Sequence, residues 1–376
     1  MEPEGAANGT STPTEAPAPG VRPWHVGPLV DSLAYHWSWL WALVPLLFMG
    51  ETKQDYLALW IGVLALNFAH RHLTLPIVYL DKQVFAQHRD KFTWAPLAML
   101  VVFCAEPLLR TGAVGRVVFA SVATLSGAWG IWHTLQQKYG ILRVYAVKSG
   151  LPLELRPPAW SDRLLVHGWY PLWVAVLGTS YQQQVQQYFG RARLFLDPLL
   201  HAMPLLRTWL LPPAALLAAT GAAAFFYYEW RGCRLRNPAR LSMGLATALL
   251  SLSFLVFDPV KAFLAYTFSH AVEYFVFVWA FQRKRYATTV ARPSLMARMA
   301  RHPGLFYGSF LLLTCATYVL AKHWGTHVLA GTRPVRWAGI APSQWLYYWA
   351  IVQSMVHFYY DGFLWKMRNA QTRANL

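Results

Sequence analysis

Apolar stretches of similar length follow one another from residue 33 to residue 365, separated by short polar segments. They run over about 33–50, 55–80, 92–110, 113–135, 164–180, 205–229, 241–257, 260–281, 304–321 and 344–365, the fifth and seventh being the shortest. A helix of about twenty apolar residues crosses the hydrocarbon of a bilayer. The pattern predicts an all-α, polytopic membrane protein with about ten transmembrane helices. Residues 1–22, rich in Ala, Pro, Gly, Ser, Thr and Glu, cannot bury a core and are expected to form a disordered tail. They lack the basic start and apolar core of a cleaved signal peptide. The rest, 23–376, reads as a single transmembrane helical domain. Residues 136–155 interleave apolar and basic positions. They suit either an interfacial amphipathic helix or an extension of the fourth span.

Loop charge orients the bundle. One alternating set of loops, with the tail at 366–373, holds about 21 basic residues, Lys82, Lys138, Arg143, Lys148, Arg240 and Arg285 among them; the other set holds about ten. The richer set is expected on the cytoplasmic side, which puts both termini there. The composition agrees: 56% hydrophobic with 13% charged residues excludes an ordinary soluble domain. The net charge of +17 therefore reads as a topology signal, not as a nucleic-acid surface. Cys104, Cys233 and Cys315 are far apart and form no CxxC, so neither a thiolate zinc site nor a disulfide framework is indicated.

Polar residues inside apolar stretches are costly and need partners. With this orientation they gather in the cytoplasmic half. The second stretch carries Asn67, His70, Arg71 and His72. The fourth ends near His133, the eighth holds His270 and Glu273, and the tenth holds His357 and Asp361. His88 follows in the first cytoplasmic loop. His357 and Asp361, four apart, share a helix face, as do His270 and Glu273 at three. His70 and His72 point about 200° apart on a helix, so both aim at one ion only if the helix is distorted. His70, His72, His88, His133, His270 and His357 are the candidate metal ligands, with Glu273 and Asp361 as candidate catalytic or ligand-completing carboxylates. The other histidines, including His25, His36 and His167, read as interfacial or packing residues.

Imidazoles with a carboxylate suit iron, mononuclear or dinuclear, and also zinc or manganese. A histidine-rich polytopic chain with such ligands on its cytoplasmic side resembles, in general design, the membrane-integral iron oxygenases: fatty-acid desaturases, alkane and sterol hydroxylases, and the retinal-forming carotenoid dioxygenases of bacteria. Their HxxxH and HxxHH boxes are absent from the cytoplasmic-side segments, so no residue roles carry over. The expected function is a metal-dependent membrane oxidoreductase acting on a lipid-soluble substrate among membrane lipids. No flavin, haem or ferredoxin domain is present, so its electron donor is expected to be a separate protein. The alternatives are a metal-independent lipid transferase with His133 as general base, an ion- or proton-coupled transporter with a buried His/Glu/Asp path, and a non-catalytic scaffold.

Overall fold

The computed structural model describes residues 23–50, 52–104, 113–152, 154, 156–176, 193–233, 237–286, 294–323 and 342–366. The N-terminal tail expected over 1–22 lies outside them. All regular structure among the described residues is helical. The described residues of every stretch expected to span are mostly helical. A short N-terminal helical turn and a π-helical segment, Ser32–His36, lead into α1 (Ser38–Phe48). Then follow α2 (Lys53–Arg71), α3 (Thr74–Leu80), α4 (Lys82–Gln87), α5 (Arg89–Cys104) and α6 (Ala113–Lys148). Next come α7 (Ala159–His167), α8 (Arg193–Cys233), α9 (Pro238–Val256) and α10 (Pro259–Tyr286). The last are α11 (Leu295–Arg301), α12 (Pro303–His323) and α13 (Pro342–Leu364).

The helix starts are chemically encoded. Thr52 and Asp55 form a reciprocal capping box at α2. Asp81 accepts from the Gln83 and Val84 amides at α4, and Asn237 caps α9 ahead of Pro238. Asp258 accepts from the Lys261 amide at the start of α10, the capping role its position before Pro259 suggests. The helix α6 is continuous over 36 residues. Residues 136–148 therefore extend the helix over the fourth apolar stretch and do not form a separate helix. It ends where Gly150 takes φ 71°, a left-handed terminus that favours glycine.

Among the described residues, two helical stretches are long and apolar enough to cross a membrane, Arg207–Arg231 and Pro238–Val256. This is fewer than the ten expected. Several of the others fall short for a physical reason: α2, α6, α10 and α13 carry the buried polar side chains that the bundle gathers at its centre. The interior holds charged side chains in ion pairs. Asp162, Lys138, Glu229, Arg240 and Glu273 are all fully buried. The exterior conversely presents Phe48, Trp209, Val256, Leu305 and Leu312, each more than 70% exposed. Two loop-charge assignments are thereby corrected. Lys138 lies inside the bundle on α6, and Arg240 lies at the start of α9, held by Asp162 and Glu229. The Arg240 guanidinium also donates to the Leu142 carbonyl at 3.0 Å and so ties α6, α7, α8 and α9 together. Asp162 further accepts from Arg143 at 2.8 Å.

Candidate metal centre

The helix over the second apolar stretch breaks at its polar part. Pro76 lacks the amide that would continue the α2 hydrogen-bond ladder to the His72 carbonyl. The chain instead tightens, with the His72 and Leu73 amides bonded back to the Ala69 and His70 carbonyls at 3.1 Å each. The freed Arg71 carbonyl accepts from the Thr74 hydroxyl at 3.0 Å and from the Gln353 amide of α13 at 3.1 Å. The Arg71 guanidinium donates to Ser354 Oγ, also on α13. Irregular backbone inside an apolar bundle survives only when its polar groups are satisfied in this way. The break thus docks the end of α2 against α13 and sets His70 beside His357.

Four helices deliver one imidazole each to a common centre: His70 from α2, His133 from α6, His270 from α10 and His357 from α13. The ring centroids of His70 stand 5.0 Å from those of His270 and of His357. His133 is 4.7 Å from His357 and 5.4 Å from His270. Asp361, one turn after His357, lies 3.6 Å from His133 Nε2 and 3.8 Å from His357 Nδ1. Ligand atoms of His70, His270 and His357 fall within 4.8 Å of one another, as do those of His133, His357 and Asp361. Donors about 2.1 Å from one ion in a tetrahedron are roughly 3.4 Å apart, so modest ring rotations bring either set into ligating positions. The two sets share His357, so the centre offers room for one ion or for a pair.

The hydrogen bonding of these rings is incomplete. Neither nitrogen of His357, nor His270 Nδ1, nor His133 Nε2 closes a hydrogen bond among the described residues. His70 leans on the Leu66 carbonyl one turn back, but neither of its nitrogens makes a bond of normal geometry. All four residues are at least nine-tenths buried. An unsatisfied buried polar group costs roughly 1–3 kcal/mol, and a metal cation can satisfy several imidazole lone pairs at once. Tyr274, one turn after His270, completes the wall. Its hydroxyl donates to Asp361 Oδ1 at 2.8 Å, and its ring is 5.0 Å from that of His357.

The remaining candidates lie outside this group. His72 stands at the helix break with both nitrogens engaged: Nδ1 meets the Phe68 carbonyl at 2.6 Å, and Nε2 accepts from the Trp349 indole at 3.2 Å. His88 packs beside Phe92 and Phe363 near the α4–α5 junction. Glu273 faces the cation of Lys138 at 2.5 Å and not the imidazoles. His25 and His167 behave as packing residues, the first against Phe277 and Tyr35, the second against Trp132. Lys138 and Tyr274 are the two polar neighbours that sequence reasoning missed. Tyr274 was within reach of it, lying four residues after His270 on the same face.

No protein family, curated protein or solved structure matches the chain.

Proposed function

We propose that the chain is a polytopic membrane metalloenzyme of about ten spans, with both termini and the metal centre on the cytoplasmic side. The centre performs oxidoreductase chemistry of the non-haem iron type on a lipid-soluble substrate. The observation that carries the reading is the convergence of His70, His133, His270 and His357 with Asp361, buried and with ring nitrogens lacking partners. The membrane part rests on the inverted polarity of the bundle: ion pairs inside, large apolar side chains outside. His70, His270 and His357 would hold one ion, with His133 and Asp361 completing its shell or holding a second. Iron in such a nitrogen-rich site supplies the redox chemistry, while zinc or manganese in it would direct the search elsewhere. The protein supplies a buried site, a Tyr274 hydroxyl beside Asp361 and a wall of aromatic side chains. Electrons come from a separate donor protein.

The test is oxygen uptake by the iron-loaded full chain in nanodiscs, with a chemical reductant and a total lipid extract. Uptake that depends on the lipid and disappears in His357→Ala supports the reading. Uptake unchanged in His357→Ala contradicts it. A second reading is favoured by one observation: His133 Nε2 faces Asp361 on a cavity wall, a pair suited to a metal-independent lipid transferase. It requires turnover in metal-free protein.

A further inference from the structure

A cavity of ≈ 670 Å³ starts at the metal centre, where His133, Tyr274 and Asp361 form part of its wall. Its size falls inside the roughly 300–1,000 Å³ of small-molecule sites. Much of its lining is aromatic and apolar: Trp129, Trp132, Phe277, Phe358 and Trp365. It follows the C-terminal halves of α6 and α13, so it leads from the imidazoles towards the helix ends at Val147 and Lys366. Charge along it is polarised. Asp361 is its carboxylate, at the metal end; Arg143 and Lys366 are its arginine and lysine side chains, both towards the helix ends. Arg143 gives Nη1 to the Pro157 carbonyl and Asp162, and a guanidinium carries five donor hydrogens in all.

Two glycines line this volume. Glycine disfavours a helix interior, and among packed helices it usually marks a close approach. Gly221 on α8 fits that rule, since a Cβ there would stand 2.5 Å from the Leu164 carbonyl oxygen of α7. Gly140 and Gly362 do not. Both line the cavity, one on α6 two turns after His133 and the other on α13 beside Asp361. A Cβ at either meets nothing within 4 Å. At both positions there is therefore open space on the cavity side where a larger side chain would project.

We infer that this cavity is a binding chamber for a single-chain amphiphile with an anionic head. The head lies at Arg143 and Lys366, the apolar chain lies among the aromatic side chains past Gly140 and Gly362, and the chain's far portion reaches His133 and Asp361. Only the identification of that far portion as the reacting end rests on the metalloenzyme reading.

The test uses the full chain in nanodiscs, with palmitate as probe and hexadecanol as its neutral counterpart, and with metal content measured on every sample. Wild type is expected to bind palmitate about tenfold or more tighter than hexadecanol, as a charge-assisted contact requires. Gly140→Phe and Gly362→Phe are expected to weaken palmitate by about tenfold or more, by filling the chamber. Gly140→Ala, with space to spare, keeps binding and controls for helix propensity. Lys366→Glu, at an exposed position, is expected to remove the preference for the anion. Unchanged palmitate binding in both phenylalanine variants overturns the chamber. Equal binding of hexadecanol and palmitate by wild type overturns the anionic head. Metal-free protein that still shows the expected binding pattern upholds the chamber and sinks the metalloenzyme reading alone.

Discussion

The Lys138 ammonium meets the Glu273 carboxylate at 2.5 Å, and neither side chain reaches solvent. Ser269 Oγ donates to the same Glu273 oxygen at 2.9 Å, and the ammonium also lies over the ring of Tyr266. The pair fastens α6 to α10 about one turn beyond His133 and His270. Removing one partner of a buried pair leaves an uncompensated charge and costs roughly 3–5 kcal/mol, whereas replacing both with apolar residues is often close to neutral. Lys138→Met should therefore lower stability in detergent by about that amount, and Lys138→Met with Glu273→Leu should recover most of it. A double-mutant cycle in thermal unfolding checks this. No recovery in the double variant contradicts a structural role for the pair.

Tyr274 touches the centre through Asp361. Tyr274→Phe removes one hydroxyl and keeps the ring, so the metal should stay bound. Loss of a hydrogen bond that orients a ligating carboxylate typically costs about 10–100-fold in activity or metal affinity. Turnover and metal titration of the same samples separate the two effects. Unchanged turnover and affinity would show that the 2.8 Å contact to Asp361 does not bear on the chemistry.

His72 is a contrast to His70. It sits on the break between α2 and α3 with its nitrogens given to the Phe68 carbonyl and the Trp349 indole. His72→Ala should keep full metal content while losing packing against Trp349, and His70→Ala should lose most of its metal. Metal loss in His72→Ala would mean that the break rearranges when the site fills.

Asp81 gives a pH signature outside the centre. Burial by itself would raise its pKa, but the Tyr286 hydroxyl, the Val84 amide and Arg285 outweigh it and hold the pKa below its usual value. A depressed folded-state value means that its contribution is present above the unfolded value of about 4 and is lost as pH falls further. Asp81→Asn should lower the melting temperature at pH 6, with the gap to wild type closing as pH falls below about 4. The ion pair with Arg285 links α4 to α10. A gap that does not change with pH would assign the effect to the cap alone.

The four imidazoles were legible because a histidine in an apolar run must find a partner. The spacing of His70 and His72 was legible as well: even with the helix broken at Pro76, only His70 reaches the group. Lys138 was not legible. It stands where the apolar run stops, so it reads as a loop charge. What keeps it inside the bundle, Glu273, is distant in the chain. Arg240 misleads in the same manner, since Asp162 and Glu229 come from two other helices. The extension of α6 past residue 135 depends on similar tertiary partners, as Gln137 donates to the His270 carbonyl at 3.0 Å. Glu273 was correctly placed beside His270 in the chain, but its buried lysine turns it away from the ligand group.

The most direct measurement is the metal content of the full chain purified without chelators, wild type beside His357→Ala. His357 belongs to both ligand sets, so this one substitution removes a donor from each. The expected result is one or two equivalents of iron per chain in wild type, with most of it lost in the variant while the protein remains folded. Wild-type protein with no stoichiometric metal, or a variant with undiminished metal, would contradict the assignment of His70, His133, His270, His357 and Asp361 as a metal centre.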